Sequence, residues 1–135
     1  RAAARATPDD VRALRERHAA QRAARDRQDE FVVRDMAFHR EIARISGNPI
    51  FPALVEAMFD WARTAYRALV RAPGAEALTL EEHGRLVDAI EAGDAQAAEA
   101  AMRAHLTRSD ARYGAAPPPD PAPAPRRRAP RKTTR

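Results

Sequence analysis

Residues 79–106 have the sequence TLEEHGRLVDAIEAGDAQAAEAAMRAHL, in which two apolar stripes flank a turn. Over 80–90 and again over 98–106, apolar residues recur every three or four positions, which is the period of a helix and not of a strand. Gly93 can adopt the left-handed conformation that ends a helix, and Asp94 can cap the next one. This stretch therefore predicts two antiparallel helices joined by a tight turn.

A histidine lies on each of these apolar stripes. His83 precedes Gly93 by ten residues, and His105 follows Asp94 by eleven. At about 1.5 Å per residue, antiparallel packing places both imidazoles at nearly the same height, roughly 15 Å from the turn. A single histidine on an apolar face is more often a hydrogen-bonded core residue than a ligand. Two at one level indicate a shared partner, because a buried ring nitrogen is costly unless it is hydrogen-bonded or coordinated.

Start and stop signals divide the sequence before this pair into further helices. Thr7 as N-cap, with Pro8 in the first turn, predicts a helix that ends near Arg25. A second predicted helix spans about 29–46 and closes at Gly47. Both segments are rich in Ala, Arg and Glu, which favours helix in each.

A third helix is predicted from Asn48-Pro49 to the turn at Pro73-Gly74. Thr79 and Glu82 have the spacing of a capping box that would begin the fourth helix. With no convincing strand, the sequence predicts an all-α antiparallel bundle of five or six helices. The apolar stripe of the third helix, which we expect to face the core, comprises Phe51, Leu54, Met58, Ala62, Ala65, Tyr66 and Leu69.

A second pair of candidate ligands lies on the second predicted helix. Asp35 and His39 are four residues apart, so their side chains share one face within reach of a single ion. Alone, such a pair is most often a surface hydrogen bond. Together with His83 and His105 it offers three nitrogens and one carboxylate, which suit Zn²⁺, Ni²⁺, Co²⁺ or Mn²⁺. We expect one divalent metal per chain, with residual positive charge that attracts a small carboxylate.

The composition of the 135 residues limits the classes of function. This length supports one modest core and a single domain. The absence of cysteine excludes disulfides, thiolate zinc fingers and a cysteine nucleophile. No apolar run reaches the roughly 18 residues of a membrane helix, so we expect a cytoplasmic protein with no membrane partner. The first residue is Arg1, which indicates a piece of a longer protein.

The net positive charge is confined to residues 115–135, a segment rich in Pro, Ala and Arg. It contains six of the 24 basic and one of the 19 acidic residues, and so accounts for the whole net charge of +5. It has almost nothing to bury, and we expect it to be disordered. Residues 1–114 form the predicted helical domain, whose balanced charge argues against nucleic-acid binding. The tail is either a solvated terminus or a weak contact to DNA phosphates.

Several short segments resemble those of one protein family. From about Arg1 to Tyr113 the sequence is similar to the ligand-sensing C-terminal domain of GntR-type bacterial transcription regulators of the FadR subgroup, called the FCD domain. The segments that resemble it are Asp35–His39, Ile42-Ala43, Ser46–Asn48, Glu82-His83, Leu86–Ile90, Gly93-Asp94 and Ala101–Leu106.

The resemblance implies an antiparallel bundle of six or seven helices that holds a metal on one aspartate and three histidines. All four positions are filled here, by Asp35, His39, His83 and His105. In such regulators an organic acid reaches the metal and biases an attached winged-helix DNA-binding domain, and the domain forms a homodimer. We expect that winged-helix domain to be absent from this chain and the first helix to be truncated, so DNA binding would belong to the full-length protein.

Two arginines and a fourth histidine lie outside this set of four. Arg63 and Arg67 are weaker ligand-binding candidates, four residues apart on the third helix, where a guanidinium could pair with a carboxylate. Both could equally be solvent-facing. His18, with Arg15 and Arg22 as neighbours, is predicted to be a solvated surface residue.

Two alternatives to a regulatory domain stay open at this point. One is a metal-dependent enzyme that acts on a small carboxylate, although the sequence offers no separate general base beside the four ligands. The other is a structural dimerisation bundle whose histidines pair with one another without metal. The sequence specifies neither the metal, nor the acid, nor whether the regulator represses or activates.

Overall fold

The computed structural model of the chain describes residues 1–65 and 75–113. Within these ranges the chain is all-helical, as predicted, and none of the helices is long and apolar enough to cross a membrane. The segment 115–135 and Arg67 lie outside the described residues. The helices are α1 (Pro8–Ala23), α2 (Gln28–Ile45), α3 (Ile50–Ala65), α4 (Glu76–Glu91) and α5 (Ala95–Tyr113).

Local chemistry sets the helix ends at three predicted positions. At the start of α1, the Thr7 hydroxyl accepts a hydrogen bond from the Asp10 amide at 3.2 Å, and the Asp10 carboxylate accepts one from the Thr7 amide at 2.9 Å. Gly47 follows α2 and Gly93 follows α4, with φ of 75° and 68°. Glycine adopts this left-handed conformation without steric penalty, and both helices therefore end where the sequence predicts.

The predicted start of α4 is wrong. The helix begins at Glu76, four residues before the predicted first helical residue Leu80, and its N-cap residue Ala75 makes no side-chain hydrogen bond. Thr79 lies buried inside the helix, where its hydroxyl accepts a hydrogen bond from Arg108 at 3.1 Å. Thr79 and Glu82 therefore have the spacing of a capping box but contact α5 instead.

The helix α1 packs antiparallel to α4 and also along α2. Arg15 pairs with Asp88 of α4, and one turn later His18 reaches Leu80 near the start of α4. The helix α5 packs on α4, and α3 packs on α2. The core cluster comprises Ala3, Leu14, Phe38, Ile45, Leu86, Val87 and Ile90.

The apolar stripe of α3 differs from the prediction that it faces the core. Ala62 is buried, but Phe51, Leu54 and Met58 of the predicted stripe are 40% to 59% exposed, and so is Trp61 on the same helix. Tyr66 and Leu69 lie outside the described residues. The four exposed side chains line an open cavity of about 1140 Å³ whose walls come from α2, α3, α4 and α5. The helical period predicts which residues share a face, and it does not predict what that face contacts.

Candidate metal centre

Three helices bring the four predicted ligands together. His83 Nε2 of α4 lies 3.4 Å from His105 Nε2 of α5 and 3.7 Å from Asp35 Oδ1 of α2. His39 Nε2, also on α2, lies 4.0 Å from Asp35 Oδ2, and one nitrogen of each histidine lies within 4.8 Å of the other two. A tetrahedral ion with metal–nitrogen distances of about 2.0 to 2.1 Å separates its ligand atoms by about 3.4 Å. The distance between the His83 and His105 nitrogens matches this separation. The distances from Asp35 to His83 and His39 are longer, and the compact group among the described residues comprises the three histidines.

Aromatic packing restricts the imidazole rings to these positions. The ring of Phe38, which is fully buried, stacks on His83 at a centroid distance of 4.2 Å. His39 stacks on His105 at 5.2 Å and meets the edge of His83 at 5.0 Å. Phe59 of α3 lies beside His39, with ring centroids 5.6 Å apart. The rings are thus oriented by their neighbours before any ion binds.

Hydrogen bonds on the outer side of the cluster fix the tautomers of two histidines. His83 Nδ1 donates to Gln21 Oε1 at 2.7 Å, and Gln21 Nε2 donates to Asp35 Oδ1 at 2.7 Å. His105 Nδ1 donates to Glu82 Oε2 at 2.7 Å. Amide and carboxylate oxygens are acceptors here, so the Nδ1 atoms hold protons, and either ring in its neutral form presents an Nε2 lone pair. Such outer-shell bonds are typical of histidines that ligate a metal.

The two Nε2 atoms of His83 and His105 therefore face each other across 3.4 Å. In two neutral rings with Nδ1 protonated, both are acceptors, and acceptors at this distance repel unless a cation or a proton lies between them. A divalent cation suits the site because Asp35 and His39 add a carboxylate oxygen and a third nitrogen. The donor set fits a borderline transition ion such as Zn²⁺.

Burial shifts the pKa values of the cluster toward the uncharged forms, which favours metal binding by the histidines and opposes it at Asp35. The pKa of Asp35 is raised to about 6 by burial, against the opposing influence of His105 and of the hydrogen bond from Gln21. Burial, followed by repulsion from His105, lowers the pKa of His39 to about 3. The pKa of His83 is lowered by burial and then by the neighbouring imidazoles. At pH 7 Asp35 is thus ionised, and His39 and His83 are neutral.

Arg108 and Glu82 form an ion pair next to His105. Arg108 Nη2 donates to Glu82 Oε2 at 2.8 Å and to the Thr79 hydroxyl at 3.1 Å. Its Nε is buried and has no hydrogen-bond partner among the described residues. Arg108 and Thr79 also line the cavity, together with His39 and His105. A guanidinium with an unused donor therefore lies at the wall of the same cavity as the histidine cluster.

Of the two arginines predicted as ligand-binding candidates, only Arg63 lies in the described part of the chain, and it does not join this cluster. Arg63 is exposed on α3 and is not among the described residues that line the cavity. Arg67 lies outside the described residues.

The prediction that His18 is a solvated surface residue is wrong. Its side chain is buried between α1 and α4, and its Nε2 donates to the Leu80 carbonyl at 2.9 Å. Its ring lies against Gly84, where a Cβ would be 3.5 Å from His18 Cε1, in ordinary van der Waals contact. Burial lowers the pKa of His18. His18 does not belong to the cluster, whose three histidines are His39, His83 and His105.

Sequence reasoning also missed the roles of Gln21 and Glu82, which accept hydrogen bonds from His83 and His105. Leu14, His18 and Gln21 are spaced by four and three residues, and all three are buried on one face of α1. That helical spacing is the available signal for Gln21. Glu82 precedes His83 in sequence, but its contact with His105 depends on how α5 packs on α4, which has no local signal.

Comparisons with known proteins agree with the family resemblance of the sequence. The family model described as "FCD domain" matches residues 1–108. The HTH-type transcriptional repressor NanR of Cronobacter sakazakii is 38% identical over 82 residues, which cover 57% of this chain and 30% of that protein. NanR of Citrobacter rodentium is 36% identical over 90 residues, or 63% and 34% of the two chains. NanR of Escherichia coli K12 is 34% identical over 92 residues, or 67% and 35%. The chain thus spans about a third of the length of these relatives.

Proposed function

Because this chain belongs to the FCD domain family, we propose that it is the effector-sensing regulatory domain of a GntR-type transcription regulator. Its relatives are HTH-type transcriptional repressors, and their name supports a role in controlling DNA binding by a longer protein. In this proposal, Asp35, His39, His83 and His105 bind one divalent metal per chain. The observation that supports it most strongly is the pair of Nε2 acceptors of His83 and His105, 3.4 Å apart.

The charge of such a centre favours an anionic ligand. Three neutral imidazoles and one carboxylate leave one unit of positive charge on a divalent ion, and a small carboxylate would neutralise it. Arg108 supplies a second cation at the cavity wall, partly neutralised by Glu82. The metal itself would supply Lewis-acid attraction for the carboxylate oxygens. Zn²⁺, Ni²⁺, Co²⁺ and Mn²⁺ all suit the donor set, and cellular supply would decide among them.

Coupling to DNA binding would follow from the position of the ligands on separate helices. Asp35 and His39 belong to α2, His83 to α4 and His105 to α5, so the centre links three helices. An acid that binds one arrangement of these helices better than another shifts the population toward it. We propose that this shift reaches the DNA-binding part of the protein through a homodimer of the domain.

We propose no chemical reaction at this site. An enzyme would require a free general base beside the metal, and the nearest additional carboxylate is Glu82. Its Oε2 accepts from His105 Nδ1 at 2.7 Å and from Arg108 Nη2 at 2.8 Å. Glu82 is thus engaged in orienting a ligand and balancing a guanidinium, which favours sensing over catalysis.

The test compares the metal-free and metal-loaded chain. Untagged protein is stripped with EDTA, half of it is reloaded with one equivalent of Zn²⁺, and thermal melts are recorded with increasing acetate. We expect acetate to raise the Tm of the reloaded protein alone, because a ligand of the folded state stabilises it by about 2.7 kcal/mol at 100 times its Kd.

Two variants make this test specific. His39→Ala should abolish the acetate response of the reloaded protein, because it removes one ligand nitrogen. Arg85→Ala, which removes only an exposed pair with Glu81, should leave the response intact. An equal acetate response with and without Zn²⁺ would contradict a metal-dependent carboxylate site.

A further inference from the structure

The histidine cluster divides the cavity into two ends of different chemistry. Toward the start of α4, the described lining includes the polar residues Glu76, Thr79 and Arg108 beside the apolar residues Phe31 and Val32. In the opposite direction, α2 continues from His39 to Ile42, and α5 continues back from His105 to Met102. The described lining on this second side is dominated by apolar residues of α2, α3 and α5, and we call it the apolar end.

The cavity as a whole contains much of the hydrophobic surface that the described residues leave exposed. Eight large hydrophobic side chains are exposed in the described ranges. Five of the eight line this one cavity: Phe51, Leu54, Met58, Trp61 and Leu106. Exposed apolar residues scattered singly are normal, whereas a cluster in one concavity indicates a binding surface.

The polar side chains at the apolar end are exposed or already have partners. The Ser46 hydroxyl donates to the Ala43 carbonyl at 2.6 Å. Glu99 and Arg103 pair with each other at 2.9 Å, and both are more than 70% exposed. Arg1 is exposed at the rim. A ligand with several hydroxyl groups would bury them here with few free partners, which is costly.

The apolar wall begins at the histidine cluster and is long. Phe59, next to His39, and Phe51 both line the cavity on α3. They are eight residues apart, so the wall extends for about 12 Å from the cluster at about 1.5 Å per residue. A ligand bound at the cluster by its carboxylate can therefore lay an extended apolar body along α3.

We propose that the effector of this domain is a monocarboxylic acid with an apolar body, such as a medium-chain aliphatic or aryl-substituted acid. This inference rests on the proposed function, because the histidine cluster and Arg108 receive the carboxylate. The apolar body lies against Leu54, Met58 and Leu106 and covers surface that is otherwise exposed to water. A polyhydroxy acid, by contrast, finds few free donors and acceptors among the residues of this wall that the structure describes.

The test is calorimetric titration of the full Zn²⁺-reloaded chain with three probe acids. Acetate has the carboxylate without a body, octanoate adds an apolar chain, and gluconate adds a hydroxylated one. We expect octanoate to bind about 100-fold more tightly than acetate. Full burial would contribute about 0.8 kcal/mol per methylene, and the expected gain is smaller because the chain is only partly buried. Gluconate should bind no more tightly than acetate.

Variants locate the octanoate chain. Leu54→Asn and Leu106→Asn, at sites that are 59% and 48% exposed, should fold normally and lower octanoate affinity about tenfold each. Val33→Asn is the matched control, because Val33 is 45% exposed and is not among the described residues that line the cavity. It should leave the affinity for octanoate unchanged.

The outcomes separate this inference from the proposed function. If acetate and gluconate bind the Zn²⁺-reloaded chain and octanoate binds no more tightly, the apolar ligand class is wrong and the metal-dependent carboxylate site stands. If no acid binds, both are wrong. If Leu54→Asn instead dissociates a dimer in sedimentation while octanoate affinity is unchanged, the surface is an interface between copies and the inference is overturned.

Discussion

Replacing Gln21 with leucine should weaken both the fold and the metal centre. Gln21 is fully buried, accepts from His83 Nδ1 and donates to Asp35 Oδ1. Leucine is similar in volume but leaves His83 Nδ1 and Asp35 Oδ1 without the amide that Gln21 provides. Each unsatisfied buried group costs about 1 to 3 kcal/mol, so the metal-free variant should lose about 2 to 6 kcal/mol of its free energy of unfolding. Against a typical total of about 5 to 15 kcal/mol, this loss is large.

The same substitution should lower metal affinity, because His83 is no longer held in the tautomer that presents Nε2 to the ion. Loss of one outer-shell partner typically costs about 10- to 100-fold in affinity. Urea unfolding of the EDTA-treated protein measures the stability, and competition with a chromophoric chelator measures the Zn²⁺ dissociation constant. Gln21→Glu, which restores an acceptor, should recover part of the affinity.

Leu14→Ala is the matched control for Gln21→Leu. Leu14 is fully buried on the same helix, in the core cluster, and its truncation should cost about 2 to 5 kcal/mol. It contacts no proposed ligand through a hydrogen bond, so its folded state should bind Zn²⁺ as the parent does. Equal Zn²⁺ affinity for the parent, Leu14→Ala and Gln21→Leu would refute the role of Gln21 in orienting His83.

Three further predictions concern helix ends and pH. Thr7→Ala removes the N-cap acceptor of α1 and should lower the free energy of unfolding by about 1 kcal/mol in urea titrations. Gly93→Ala should lower it by about 1 to 2 kcal/mol, because φ at this turn is 68°; an unchanged urea midpoint would argue against that conformation. Above about pH 7, protonation of Asp35 should not affect Zn²⁺ affinity. Below pH 6 the affinity should fall by about tenfold per pH unit, because the pKa of Asp35 in the metal-free protein is raised to about 6 and binding must then displace its proton. His39 should not contribute in that range, since its pKa is lowered to about 3; chelator competition between pH 5 and 8 measures the slope.

The helix ends at Thr7, Gly47 and Gly93 were predictable because their signals are local. Thr7 and Gly47 each determine the backbone within one turn of themselves. The meeting of His83 and His105 follows from equal distances to the turn at Gly93, which fixes their register once the helices pack antiparallel. The structure brings these side chains together, and their role as metal ligands stays a proposal.

The burial of His18 could not be predicted from its neighbours. Arg15 lies on the same side of α1 and suggested a solvated face, but its guanidinium pairs with Asp88 and Glu91 of α4. The basic residue therefore lies at the edge of a helix interface, with His18 inside it. Basic residues on one helix do not reveal whether acidic residues of another helix will pair with them, because that pairing depends on tertiary packing.

The stripe of α3 illustrates the same limit for apolar residues. The positions of Leu54, Met58 and Ala62 at helical spacing predict a shared apolar face correctly. Only Ala62 of these three is buried, and the other two line the cavity. Periodicity is equally consistent with a core and with the wall of a binding site, since both require apolar side chains on one side of the helix.

Metal content of the untagged protein, measured by elemental mass spectrometry, tests the metal centre most directly. His83→Ala and His18→Gln are measured beside the parent, because both histidines are buried but only His83 belongs to the cluster. We expect about one divalent metal per chain in the parent and in His18→Gln, and its loss in His83→Ala. A parent protein that retains no metal after reconstitution with Zn²⁺, Ni²⁺ or Mn²⁺ would contradict the proposed centre.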